Sequence, residues 1–282
     1  MIVEKKINRG QELGSTEHPE KYREEGQPVS VEESTYLRRA ATLERRGQYD
    51  RAIANVRKAL EIGQRKASTY ARLAVLCRAA RRFDEALDAL RIAAECEPSD
   101  PEIREMLLQI CIESGKYKDA IVEGQILLKK WPKNLYARDV LSIAYLHQGE
   151  YNQALRITDE LIFLDPLDPM NHFKKAIIFQ QKGEIGAAMI EYARVLKLDP
   201  DCDLAQDAQD AMASLDNYQL RQIIALAMED SLFRAKLMRD PENAAAERGF
   251  VLSQEGFQAL KQLDYDSMSG TEGPFGGGYV YN

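Results

Sequence analysis

Residues 135–168, LYARDVLSIAYLHQGEYNQALRITDELIFLDPLD, carry the pattern that decides the fold. Apolar and small side chains fall at Leu141, Ala144 and Tyr145, and again at Ala154, Ile157 and Leu161. Steps of three and four put each set along one face of a helix. Gly149 separates the two sets and supplies the backbone freedom that a tight helix-to-helix turn requires, while Pro166 ends the second helix. The stretch therefore predicts a helical hairpin.

Moving the frame by 34 residues reproduces it in both directions. Ala52, Ala86, Ala120, Ala154 and Ala188 form one ladder at that interval, and Pro98, Pro132, Pro166 and Pro200 another. Gly47, Gly115, Gly149 and Gly183 form a third, with Arg81 standing in the gap, and aromatics follow the turn at Tyr49, Phe83, Tyr117 and Tyr151. Five copies fit without an insertion: 33–66, 67–100, 101–134, 135–168 and 169–202. A small residue at the helix crossing, an aromatic after the turn and a closing proline at this period resemble the tetratricopeptide repeat. The resemblance covers 170 of 282 residues and implies an all-α superhelical solenoid of helix-turn-helix repeats, with the first helix of each hairpin lining an inner wall.

By that resemblance the second, fifth, ninth, twelfth and thirteenth places of each repeat point inward. They read Ser34, Leu37, Ala41, Glu44 and Arg45, then Ser68, Ala71, Val75, Arg78 and Ala79, then Glu102, Glu105, Gln109, Ile112 and Glu113. Repeat four gives Tyr136, Asp139, Ile143, Leu146 and His147, and repeat five Met170, Phe173, Ile177, Gln180 and Gln181. The wall is expected to turn apolar toward its C-terminal half, and an exposed apolar stripe of this kind marks a binding surface. Chaperone-binding members of the family grip a terminal carboxylate with a lysine at the fifth place; here those places are Leu37, Ala71, Glu105, Asp139 and Phe173, so that mode is not expected.

Outside the repeats, residues 1–32 hold seven acids and five bases with few large apolar side chains, and are expected to form a flexible leader reaching a helix cap near Ser30 or Ser34. Residues 203–214 are expected to continue as a solvating cap helix. From Leu215 the period fails, and a separate helical module is expected over 215–265, its first helix capped by Asp216 or Asn217 and later ones opening at Asp240-Pro241 and Ser253. Its residues Phe233, Leu237, Asp240, Pro241, Gly249, Leu252 and Ser253 resemble a small helical module of peptide-precursor leaders and of extradiol dioxygenase small subunits, which implies a recognition role. The last segment, 266–282, combines glycines with Phe275, Tyr279 and Tyr281, a composition suited to a tether with an adhesive tip.

Composition narrows the chemistry. A net charge of −7 argues against nucleic acid, whose binding needs cations to neutralise phosphate. Arginines nevertheless crowd repeats one and two, at 38, 39, 45, 46, 51, 78, 81 and 82, either as a solvated surface interleaved with Glu44 and Asp50 or as a local dock for an acidic partner. Cys77 and Cys111 share one inward place in successive repeats and are expected to pack; with Cys96 and Cys202 they form neither a disulfide framework nor a zinc set. Asp199, Asp201, Asp203, Asp207 and Asp210 mimic a calcium loop but have Leu204 where its turn glycine belongs. His18, His147 and His172 share no ligand spacing.

No catalytic, cofactor or metal set is thus expected, and no membrane span. The expected protein is a cytoplasmic, non-catalytic adaptor that binds a peptide or helix through Tyr136, Asp139, Ile143, Leu146, His147, Met170, Phe173, Ile177 and Gln180. The alternatives are a self-assembling component that uses the aromatic tail, and a leader-like precursor or companion subunit recognised by a modifying enzyme.

Overall fold

The computed structural model describes residues 31–265, and every regular element among them is an α-helix. The aromatic tail residues Phe275, Tyr279 and Tyr281, and the leader up to residue 30, lie outside the described residues. The chain divides into two compact units, the first ending at Ile157 and the second beginning at Thr158.

The first unit holds α1 (Val31–Arg45), α2 (Tyr49–Ile62), α3 (Ala67–Ala79), α4 (Phe83–Cys96), α5 (Pro101–Glu113), α6 (Tyr117–Lys130), α7 (Leu135–His147) and the start of α8 (Tyr151–Leu164). Each hairpin turns in the same way. The amides of Gln48, Arg82, Lys116 and Glu150 donate to the carbonyls of Leu43, Cys77, Cys111 and Tyr145 at 2.8–2.9 Å. The residue just before each of these amides is left-handed: Gly47, Arg81, Gly115 and Gly149, with φ between 59° and 73°. This is the six-to-one closure that satisfies a carbonyl left open at a helix end. Asp100 and Asn134 cap α5 and α7 by accepting the amides of Glu102 and Ala137, both at 2.8 Å.

The ladder alanines Ala52, Ala86, Ala120 and Ala154 are all 0% exposed, which lets paired helices approach. Gly124 in α6 allows a closer approach still, because a Cβ there would sit 2.7 Å from the Leu141 side chain. Between hairpins the core is Leu76, Leu87, Leu90, Leu107, Leu108, Ile110 and Leu127, each worth about 2 kcal/mol when fully buried. No single hairpin could enclose such side chains, so each depends on its neighbour. Cys77 and Cys111 are buried within this core, and burial pushes both thiols up, that of Cys111 to about 12.

The second unit continues with α9 (Pro169–Lys182), α10 (Ile185–Leu198), α11 (Ala205–Glu229), α12 (Ser231–Arg239), α13 (Pro241–Glu247) and α14 (Gln254–Lys261). Asp168 caps α9, and Gly183, with φ of 85°, repeats the hairpin turn between α9 and α10. Phe173, Met189, Tyr192, Val195, Leu204 and Leu215 form one core; Ile223, Phe233, Leu237, Leu252, Leu260 and Tyr265 form another. Three sequence expectations need correction here. α11 runs unbroken from 205 to 229, so no helix end separates 203–214 from 215–265. Asp216 accordingly caps nothing; it sits buried inside α11, while Asn217 is exposed on the same helix. Likewise Ser34 lies inside α1, its hydroxyl donating to the Val31 carbonyl at 2.9 Å.

Candidate functional site

In the first unit the inward places of α1, α3, α5 and α7 stay at least partly open to solvent, with one exception, Ile143. Polar pairs run along and between these helices. Arg72 reaches Glu44 at 3.4 Å, Asn134 donates to Glu105 at 2.5 Å, and Gln109 donates to Glu113 at 3.2 Å. Arg78 donates to Glu113 twice, through Nε at 2.7 Å and Nη2 at 2.5 Å, in the fork geometry that guanidinium and carboxylate share. Burial pushes the Tyr136 hydroxyl well above the usual phenol range, and Glu105, Asp139 and Glu113 nearby add to the shift. This wall is therefore charged and hydrogen-bonded.

It carries a cleft of about 370 Å³ lined by Val75, Arg78, Ala79, Arg81, Phe83 and Glu113. α3 supplies Val75, Arg78 and Ala79 from its ninth, twelfth and thirteenth repeat places, and Phe83 is the aromatic that opens α4. Val75 is 39% exposed, a large apolar side chain left facing the opening. Arg81 stands on the turn itself. It is exposed, and it is the non-glycine residue with positive φ among the described residues. An L-residue in that conformation costs about 1–2 kcal/mol.

The tetratricopeptide repeat family description matches residues 43–110 and 171–202. These segments coincide with the hairpins whose turns and crossings are given above. This is a tetratricopeptide repeat protein.

Solved tetratricopeptide structures resemble it in fold. MamA residues 41 to the end from Desulfovibrio magneticus RS-1 match with a TM-score of 0.55 at 14% identity, covering 62% of this chain and 99% of that one. YrrB, described as a TPR protein with an unusual peptide-binding site, matches with a TM-score of 0.51 at 20% identity, covering 62% of this chain and 90% of that one. Identities this low carry the fold alone. No curated protein sequence matches the chain.

The structure corrects the expected exposure of the apolar stripe. Ile143 and Phe173, expected on an open apolar stripe, are each only 4% exposed. Six consecutive residues of α7, 140–145, are buried, so this helix is covered on every side at that level. Phe173 is sealed into the core of its own unit, edge-on to Tyr192 with ring centroids 5.5 Å apart. Met170 and Ile177 are half-buried against the same core, and Gln180 accepts the Tyr192 hydroxyl at 2.8 Å. In the first unit Tyr136 and Leu146 are half-buried, Asp139 is half-buried among charges, and His147 is exposed but stacked on Tyr117 at 4.3 Å. The expected residues thus supply no apolar groove. The residues that line the cleft belong to repeats two and three, and the signal that could have found them was the break in the glycine ladder at Arg81.

Among the described residues no helix is long and apolar enough to cross a membrane, and no cluster of His, Cys, Asp and Glu has a metal-binding arrangement. The aspartates around α11 leave Asp203 in the turn before the helix, two residues ahead of its first residue.

Proposed function

We propose that this chain is a non-catalytic adaptor that holds a segment of a partner protein on the inner wall of its first unit, seated in the cleft between Val75, Arg78, Ala79, Arg81, Phe83 and Glu113. A tetratricopeptide stack supports a protein-interaction role, and the cleft is what favours this part of the wall. It combines apolar surface at exposed Val75 and half-buried Phe83 with two guanidinium groups, that of Arg78 held by Glu113 and that of Arg81 exposed on the turn, which is how a site can reward both burial and a defined polar contact. A peptide-binding site is also what the description of YrrB records for that protein.

A photo-activated cross-linking residue placed at Val75 or Ala79 in the full chain, in native cells, tests this. The expected outcome is one and the same adduct from both positions, lost when Ala79→Trp fills the cleft of a chain that cross-links from Val75. Adducts no different from those of a control at exposed Asp88 on α4 would overturn it.

A further inference from the structure

The acids around the cleft are already taken. Asp50 accepts Arg82 at 2.7 Å, Glu85 lies within reach of Arg82 and Arg57, Asp84 accepts Lys116, Glu44 faces Arg72, and Glu113 is held by Arg78. Glu33 is buried beside Lys66, at 3.8 Å, and Asp88 pairs with Arg91 at 3.3 Å. Against this neutralised background Arg45, Arg46 and Arg81 are exposed and have no carboxylate within ion-pair range among the described residues. Arg45 ends the first hairpin's leading helix, Arg46 follows it in the turn, and Arg81 occupies the turn of the next hairpin. These three guanidiniums lie at the same turn edge of two neighbouring repeats, that of Arg81 lining the cleft, and exposed Arg38, Arg39 and Arg51 add to the positive charge of the first repeat, in a chain whose net charge is −7. At the equivalent place the other repeats have glycine, which fits the turn without strain; only repeat two carries a long cation there. Strain retained at a surface position that a glycine would relieve points to a contact outside the fold.

We infer that this turn edge reads acidic side chains: the partner is a polypeptide segment in which carboxylates alternate with a large apolar residue, the carboxylates meeting Arg46 and Arg81 and the apolar side chain entering the cleft over Val75 and Phe83. The inference rests on the cleft as the binding place and adds the partner's charge. Guanidinium groups suit this task because they stay ionised and can take both oxygens of a carboxylate.

The test uses the full chain and a fluorescein-labelled peptide of repeated Glu-Glu-Phe, with the Lys-Lys-Phe peptide and a short single-stranded DNA as comparisons, read by fluorescence anisotropy. The acidic peptide is expected to bind, the basic one not, and raising salt from about 50 mM to about 500 mM to weaken binding severalfold. Arg46→Glu with Arg81→Glu should weaken it by about tenfold or more. Arg81→Gly should weaken it while raising the thermal midpoint, an outcome that a damaged fold cannot produce. Equal binding of the two peptides, DNA binding as tight as the acidic peptide, or no effect of the arginine changes would overturn the inference. Loss on Ala79→Trp but not on arginine reversal would leave the cleft standing and remove the acidic partner; loss on reversal alone would do the opposite.

Discussion

Glu113 takes two hydrogen bonds from Arg78, one to each carboxylate oxygen, and so ties the inner wall of repeat three to that of repeat two. The pair also cancels the charge of the one arginine that points into the cleft from α3. Glu113→Gln keeps the side-chain shape but removes the negative charge. Because both partners are partly open to water, the stability lost should be below about 1 kcal/mol. Affinity for the acidic peptide should rise severalfold, since Arg78 then joins Arg81 as an available cation. An anisotropy titration beside a thermal melt checks both numbers, and an affinity that falls would contradict the charge logic of the cleft.

Arg81 holds the left-handed turn conformation that glycine holds in the four equivalent turns. Replacing it with glycine removes about 1–2 kcal/mol of backbone strain and adds up to about 1 kcal/mol of unfolded-chain entropy. The net expectation is a gain of about 0.5–1 kcal/mol in the urea midpoint analysis of the first unit. A loss of stability would mean that the Arg81 side chain contributes to the fold through its own contacts.

The fold was legible because its determinants are local and repeat. Ala86, Gly115, Pro132 and their counterparts each answer a backbone requirement that recurs at the same place in every hairpin. The site was not legible in the same way. Register says which way a side chain points and nothing about how deep it lies: the ninth place is Val75, open at the cleft, in one repeat and Ile143, sealed, two repeats later. Asp216 failed for a related reason. Its capping chemistry is real in isolation, but its partner, Ser253, is 37 residues away, beyond any local pattern.

Gly124 and Leu141 meet where α6 crosses α7, and a methyl group on Gly124 would fall 2.7–3.2 Å from three carbons of a leucine that is itself 1% exposed. Gly124→Ala should cost about 1–3 kcal/mol through overpacking, despite the better helix propensity of alanine. Leu141→Ala alone should cost about 2–5 kcal/mol. The double variant should lose less than the sum, by at least about 1 kcal/mol, because the smaller side chain at 141 makes room for the methyl. Strict additivity in chemical denaturation would contradict this contact.

The four cysteines should separate into two classes by reactivity. Burial raises the thiols of Cys77 and Cys111, the latter to about 12, and so disfavours the reactive thiolate at both. Cys96 and Cys202 are only half-buried. A timed iodoacetamide reaction read by peptide mass spectrometry should modify 96 and 202 first and leave 77 and 111 unmodified until the chain is denatured. Early labelling of Cys111 would show that the hairpin core opens readily.

The C-terminal helices of the second unit are fastened to α11 by a small polar lock. The Asp216 carboxylate accepts the Ser253 amide at 2.9 Å and the Ser253 hydroxyl, and three residues further along α11 Gln219 exchanges two hydrogen bonds with the Val251 backbone at 2.8 and 2.9 Å. Gly256 makes the approach possible, since a Cβ there would lie 2.6 Å from the Asp216 carboxyl group. Ser253 at the same time caps α14 by accepting the Gly256 amide at 3.1 Å, so one residue both starts the helix and docks it. Asp216→Ala should cost about 1.5–3 kcal/mol, the value of buried hydrogen bonds to a charged acceptor. Gly256→Ala should loosen the same helix by steric means, while Asn217→Ala, one residue along but exposed, should do neither. Hydrogen exchange read by mass spectrometry resolves these outcomes: faster exchange confined to residues 250–265 in the first two variants is expected, and unaltered protection there would show that the apolar contacts of Leu252, Leu260 and Tyr265 hold the module without the lock.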